Sequence, residues 1–206
     1  MYPCDKHLRS QIEANLRSFE SKSQNNVDTT SAAVALTVIS CNGEAALILT
    51  KRSPKLKDHA AQWALPGGRI DQGESQLEAA LREQSEEVGL QMTESAYLGA
   101  LDDYSTRSGY TITPLVFWSG ADETKLVANP DEVASIHPIP FSELNRPDAP
   151  MFKTSPGSDH PLLAMPFNAQ YIHAPTAAML YQFREVAILG RATRVAHYEQ
   201  PTFAWK

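Results

Sequence analysis

The sequence predicts an α/β (α+β) fold in which strands are layered with a few helices. Three observations carry this. Strand-like apolar runs recur along the chain, two turn signals separate pairs of them, and one strongly marked helix lies between the pairs. The chain has 206 residues, of which 42% are hydrophobic, enough for one sizeable core.

From the N-terminus, residues 5–19 place Leu8, Ile12, Leu16 and Phe19 on one side of an amphipathic helix. A lid, a dimer contact and plain packing are open roles for it, with plain packing the default. Residues 21–31 are polar and read as a linker. Residues 32–39 and 45–51 pair around the turn Cys41-Asn42-Gly43-Glu44. Residues 75–88 are rich in helix formers, follow Gly73 and stop at Gly89, which suits a left-handed cap. Leu77, Ala80, Leu81 and Val88 would bury one face of this helix.

Residues 97–104 and 110–118 read as strands separated by Ser108-Gly109. Another strand is expected over 132–139 and a short helix over 141–145. Residues 151–167, with Pro156, Pro161, Pro166 and a Pro156-Gly157 turn signal, read as a long loop. It serves as a cover for a cleft or as a surface excursion. Residues 172–186 predict a helix opened by Pro175, with Met179, Leu180, Phe183, Val186 and Ala187 as its apolar stripe. Residues 196–206 suggest an edge strand interrupted by Pro201.

Composition narrows the function. The formal charge is −6, so no basic field exists to hold a nucleic-acid backbone, and a small nucleotide-like molecule is the better partner. Cys4 and Cys41 lack metal-type spacing, and neither a signal-peptide core nor a membrane-length apolar run is present. A soluble, reduced, cytoplasmic enzyme without a membrane partner is expected. Oligomeric state is left open, a homodimer included.

The chemistry concentrates in residues 68–90, GRIDQGESQLEAALREQSEEVGL. Gly68, Glu74, Arg82, Glu83, Glu86, Glu87 and Gly89 follow the spacing G-x5-E-x7-R-E-x2-E-E-x-G. On a helix, Glu83, Glu86 and Glu87 project within roughly 100° of one another. Glu83 and Glu87 then repel by a few tenths of a kcal/mol in the absence of a cation. Carboxylates suit a hard cation such as Mg²⁺ or Mn²⁺, which would neutralise phosphates and lower the pKa of a bound water. Arg82 is expected to orient the cluster, with Glu74 its leading partner. A plain solvated helix would instead pair Arg82 with Glu78 and Glu86. The full seven-position pattern would arise by chance about 10⁻⁹ of the time per start point, which favours the cation site.

These residues resemble the Nudix box, the signature of the Nudix hydrolases. The resemblance implies the Nudix fold, a mixed sheet sandwiched between helices, over about residues 32–190. Residues 1–31 then form an N-terminal helix and linker, and 32–206 the Nudix domain. It implies hydrolysis of a nucleoside diphosphate linked to another group, with a divalent cation as cofactor. By position, Glu83, Glu86, Glu87 and the carbonyl of Gly67 are the implied metal ligands, with Glu74 and Arg82 supporting them. Gln84 stands where the family usually has an apolar residue.

Upstream, residues 49–68 read LTKRSPKLKDHAAQWALPGG. This resembles the motif that precedes the box in coenzyme A pyrophosphatases, L-L-T-x-R-S-x3-R-x3-G-x3-F-P-G-G. Leu49, Thr50, Arg52, Ser53, Pro66, Gly67 and Gly68 match; Ile48, Lys57, Ala61 and Leu65 replace Leu, Arg, Gly and Phe. Lys51, Arg52, Lys55 and Lys57 form a cationic patch suited to the diphosphate and 3′-phosphate of coenzyme A. Lys51, Arg52, Ser53 and Lys57 are therefore the candidate substrate-binding residues. His59 either touches substrate or is an ordinary loop histidine.

The implied reaction cleaves coenzyme A or its thioesters to 3′,5′-ADP and 4′-phosphopantetheine. The alternatives are another nucleoside diphosphate-X such as ADP-ribose, and a non-catalytic nucleotide-binding module. The last is disfavoured because Glu74, Glu83, Glu86 and Glu87 are all retained. The general base stays open among Glu86, Glu87 and Glu132, the last in the segment NPDEVASIHPIP, which resembles the N-x-D-E-V stretch of many Nudix proteins.

Overall fold

The computed structural model describes residues 1–24, 27–154 and 160–202. The chain opens with α1 (Lys6–Ser18), followed by β1 (Thr30–Cys41), β2 (Glu44–Arg52), β3 (Trp63–Ala64) and β4 (Gly67–Arg69). Next come α2 (Gln76–Val88), β5 (Tyr97–Ala100), β6 (Tyr104–Ser105), β7 (Tyr110–Asp122) and β8 (Val133–Pro140). The last elements are α3 (Phe141–Leu144), β9 (Met151–Lys153), β10 (Leu162–Phe167), β11 (Gln170–His173) and α4 (Thr176–Phe183). A π-helical turn, Arg184–Ile188, continues α4.

The main sheet runs β3-β2-β1-β7-β5, with β4 also pairing β1, β6 pairing β7 and β8 pairing β2. It is mixed: β1 and β7 are parallel, whereas β1 and β2 are antiparallel. Asn42 at φ 50° and Gly43 at φ 81° make the β1–β2 turn, the left-handed pair that matches strand twist. A second sheet of three strands, β11-β10-β9, follows.

Strand alternation divides the core between two faces. Ala33 and Ala35 of β1 pack with Ala79 and Ala80 of α2, and Ile39 packs with Val88. Leu36 and Val38 face the other way, toward Leu8 and Ile12 of α1 and Leu180 and Phe183 of α4. The sheet is thus sandwiched between helices. Helix α1 buries Leu8, Ile12 and Leu16 in this core, and its Asn15 Nδ2 donates to the Ala187 carbonyl at 2.9 Å. No helix among the described residues is long and apolar enough to cross a membrane.

Helix α2 is fixed at both ends. Ser75 Oγ accepts from the Glu78 N–H at 3.2 Å and Glu78 Oε2 accepts from the Ser75 N–H at 2.8 Å, a reciprocal capping box. Gly89 closes the helix at φ 68°. Gln84 is fully buried, its side-chain carbonyl accepting from the Thr37 hydroxyl and its amide donating to the Ala80 carbonyl at 3.4 Å. Thr37 is the polar residue of β1 that meets this point, so the pair accounts for an amide where an apolar residue is usual.

Four expectations are corrected. Where a loop was expected over 151–167, Met151–Lys153 and Leu162–Phe167 are strands: β9 and β10 pair across Leu162–Lys153, Leu163–Phe152 and Ala164–Met151. The alternation of Leu163, Met165 and Phe167, all buried, outweighs the prolines; the Pro156-Gly157 signal lies outside the described residues. The strand expected over 97–104 breaks over 101–103, where Asp102 and Asp103 lie. Their buried carboxylates accept from the N–H groups of Lys22 and Gln24, both at 2.8 Å, and so also tie down the expected linker. Residues 172–173 belong to β11, and the helix begins at Thr176. Instead of an edge strand over 196–206, Glu199 makes an isolated bridge to Leu162; residues 203–206 lie outside the described set.

The Thr37–Gln84 pair predicts a non-additive mutant cycle. Thr37→Val or Gln84→Leu alone leaves a buried polar group unpaired and should cost about 1–3 kcal/mol of unfolding free energy. The double variant should recover most of that loss in urea denaturation.

Candidate active site

The site is built where the C-terminal half of α2 meets the β3–β4 segment and the loop entering β8. The last carbonyls of a helix have no partner within it, and here the loop takes them. Val127 N–H donates to the Val88 carbonyl and Asn129 N–H to the Glu87 carbonyl, both at 3.0 Å. Glu132 N–H then donates to Asn129, and the Glu132 carbonyl accepts from Ser53 N–H at 2.8 Å. These bonds carry Glu132 to the helix face that presents Glu83 and Glu87. The three carboxylates offer oxygens within 4.8 Å of one another.

Burial dominates the electrostatics. Glu87 is 5% exposed, and burial pushes its carboxyl up to about 8, with the Glu83 charge adding to the rise. Arg52 and a 3.3 Å bond from the Gly67 N–H pull in the opposite direction. Burial also raises the Glu83 carboxyl, against the hydrogen bond from Arg82. Such a set is strained by like charge unless protons or a cation offset it. An all-carboxylate set with a buried member raised this far fits a hard divalent cation, with Glu83, Glu87 and Glu132 placed to hold it.

Arg82 holds the acids in place. Its Nε and Nη2 donate to the two oxygens of Glu74 at 2.8 and 3.0 Å. Nη1 donates to Glu83 at 2.8 Å and Glu86 at 3.0 Å, and Nη2 also reaches the Arg69 carbonyl at 3.1 Å. The pair anticipated with Glu74 forms; one with Glu78 does not, because Glu78 is spent on the Ser75 cap. Glu74 is lowered chiefly by the Arg82 hydrogen bond. Gly68 leaves room for Glu83, whose Oε1 would lie 2.2 Å from a Cβ there, and Gly67 leaves room for β1, since a Cβ there would lie 2.3 Å from the Ala33 carbonyl.

The remaining expected residues divide. Glu86 lies outside the close carboxylate group, its side chain 51% exposed and bonded to Arg82. Arg52, Lys57 and Gly67 line a cleft of about 690 Å³ together with His59, Arg69 and Tyr110. Arg52 Nε is buried there with no hydrogen-bond partner. Ser53 is 1% exposed and serves as a backbone tie to Glu132. Lys51 lies in a neighbouring cavity, its Nζ 4.2 Å above the Trp63 ring. Arg69 was not singled out from sequence; its Nε and Nη2 donate to Tyr110 Oη at 3.1 and 2.6 Å. Its partner comes from β7, a pairing that no local pattern reveals.

Residues 29–156 match the NUDIX domain. The chain belongs to the Nudix family. It is 35% identical over 152 residues to an uncharacterized Nudix hydrolase NudL of Yersinia enterocolitica, spanning 72% of this chain and 77% of that protein. A NudL of Pectobacterium atrosepticum is 34% identical over 154 residues, with coverage of 73% and 79%. A MutT/nudix family protein from Enterococcus faecalis shares the fold, with a TM-score of 0.56 at 18% identity over 79% of this chain and 64% of that one. A divalent cation at the acid cluster accords with this membership.

The raised Glu87 carboxyl sets a pH dependence for the metal-free Nudix domain. A folded pKa of about 8 against an ordinary 4.5 means the folded state holds a proton the unfolded chain has lost. That stabilisation is complete below about 4.5 and disappears as pH rises through about 8. In chelator, Tm should therefore fall between pH 5 and 8.5, and Glu87→Gln should flatten the fall. Added Mg²⁺ should raise Tm at pH 8 in the wild type and much less in the variant.

Proposed function

We propose that this Nudix hydrolase cleaves the pyrophosphate bond of coenzyme A or its thioesters, releasing 3′,5′-ADP and 4′-phosphopantetheine, with Mg²⁺ or Mn²⁺ as cofactor. The observation that carries this reading is the convergence of Arg52, Lys57 and Arg69 on the cleft bordered by Gly67 and Gly68. Coenzyme A has a diphosphate and a separate 3′-phosphate, and three cations along one cleft suit that charge distribution. The upstream resemblance over residues 49–68 supports the same substrate.

In this reading Glu83, Glu87 and Glu132 would hold the cation, and the family resemblance adds the Gly67 carbonyl to them. When bound, it would neutralise the diphosphate and make water more acidic. Arg82, anchored on Glu74, keeps Glu83 and Glu86 from drifting apart. An acid among Glu86, Glu87 and Glu132 takes the proton of the attacking water. Water adds to one phosphorus, the bond from that phosphorus to the bridging oxygen breaks, and the departing phosphate keeps that oxygen. Whichever of Arg52 and Lys57 does not read the 3′-phosphate steadies the charge that develops on it.

A second reading keeps the chemistry and changes the substrate to another nucleoside diphosphate-X, ADP-ribose among them. It rests on Lys57, Ala61 and Leu65, which replace Arg, Gly and Phe of the upstream pattern. Ala61 is at φ 55°, a left-handed conformation that a glycine would adopt more readily.

Substrate selectivity separates the readings. The wild type should favour coenzyme A over dephospho-coenzyme A in kcat/KM. Replacing the cation that reads the 3′-phosphate, by Arg52→Ala or Lys57→Ala, should reduce that preference by about tenfold. Unchanged selectivity in both variants removes the 3′-phosphate role from both residues.

A further inference from the structure

A second cavity of about 260 Å³ adjoins the catalytic cleft and plays no part in the chemistry above. The two share Gln62, Trp63, Pro175 and Thr176 as lining residues. Its inner wall is Lys51 and Trp63, on β2 and β3; its outer wall is Gln170, Tyr171, His173 and Thr176. That outer wall lies beyond residue 156, where the match to the NUDIX domain ends. The cavity therefore exists because the β10–β11 hairpin and α4 close over the edge of the shared domain.

Its place along the cleft follows from strand register. Trp63 pairs with Lys51 on β2, Gly67 with Val34 and Arg69 with Ala32 on β1. Arg69 then reaches Tyr110 at the start of β7. The segment from Trp63 to Arg69 crosses the sheet in six residue steps, about 20 Å if fully extended. The glycine pair that faces the carboxylates lies between its ends, four and five steps from Trp63 and directly before Arg69. One end is the Arg69–Tyr110 pair, the other the Trp63 cavity. A diphosphate at the glycine pair would have the Arg69–Tyr110 end on one side and the Trp63 cavity on the other for its two substituents.

The ends differ in chemistry. Arg52, Lys57 and Arg69 all lie in the larger cleft, which suits a nucleoside carrying its own phosphate. The smaller cavity has one cation, Lys51, already engaged: its Nζ and Trp63 Nε1 both donate to Gln170 Oε1, at 3.3 and 3.2 Å. The indole is held edge-on by His137 at 4.9 Å and Phe167 at 5.4 Å, and its backbone carbonyl accepts from Thr176 Oγ1 at 3.3 Å. The result is a narrow slot with a flat aromatic wall, hydroxyl and amide groups, and donors that can turn from Gln170 to another carbonyl. Such a slot matches an uncharged chain bearing amides.

We propose that the Lys51–Trp63–Gln170 cavity binds the neutral, amide-bearing arm on the second phosphate of the substrate, opposite the nucleoside. This rests on the coenzyme A reading, in which that arm is pantetheine. Lys51 and Trp63 Nε1 donate to arm carbonyls, and the Trp63 face packs the methylene chain. The C-terminal hairpin is then a specificity element added to the shared hydrolytic core.

Product inhibition of the full-length Mg²⁺-loaded enzyme tests this. In the double variant Lys51→Met with Gln170→Ala, and separately in Trp63→Phe, the inhibition constant for 4′-phosphopantetheine should rise about fivefold or more, while that for 3′,5′-ADP stays within about twofold. Trp63→Phe keeps the aromatic packing and removes the N–H, guarding against a folding defect in one variant. Inhibition constants that rise together, or that do not move, overturn the arm subsite while leaving the coenzyme A reading standing. A wild type that does not hydrolyse coenzyme A overturns both.

Discussion

Three carboxylates held within 4.8 Å of one another are the constraint around which this structure is arranged. Like charges this close, one of them almost fully buried, exist only because surrounding groups hold them. Small residues let the parts approach. Ala33, Ala35, Ala79 and Ala80 are all fully buried between α2 and the sheet, so the helix can lie close to β1. That closeness lets the Gly68 backbone touch Glu83 and the Gly67 N–H reach Glu87. Arg82 supplies the opposing charge, and the loop docked on the last carbonyls of α2 delivers the third acid.

The two faces of the sheet divide the labour. One carries α2 and the carboxylates; the other carries α1, α4 and the C-terminal sheet, which together fill most of the core. Buried Asp102 and Asp103 bind the polar segment after α1 to this second face, and Gln182 Nε2 and Arg194 complete the Asp102 network. Phe167 of β10 and Thr176 of α4 both touch Trp63, so the C-terminal elements shape the edge of the cleft as well as the core.

Much of the candidate site was legible because its signals are local. The spacing of Glu83 and Glu87 places both on one helical face, and Gly89 announces the helix end. Glu132 was visible as a candidate through its segment, yet its proximity to Glu87 depends on hydrogen bonds from Asn129 and Ser53 that join distant parts of the chain. The cationic patch was legible only as a cluster. Successive strand side chains leave opposite faces, and the β2–β8 register shifts between Lys51 and Arg52. Those neighbours therefore enter different cavities. Trp63, Tyr110 and Gln170 carried no local signal, since their roles come from side-chain contacts between β3 and β11 and between β4 and β7. The prolines near residues 151–167 hid the alternation of Leu163, Met165 and Phe167, which burial favours over an open loop.

Product analysis tests the central claim most directly. The full-length protein would be incubated with Mg²⁺ or Mn²⁺ and coenzyme A, dephospho-coenzyme A, ADP-ribose, NADH or 8-oxo-dGTP, with products identified by mass spectrometry. Preferential release of 3′,5′-ADP and 4′-phosphopantetheine from coenzyme A is the result expected of this site. Turnover of ADP-ribose or another diphosphate with coenzyme A left intact would contradict the substrate assignment. No metal-dependent turnover of any of them would contradict the catalytic reading of the carboxylate cluster.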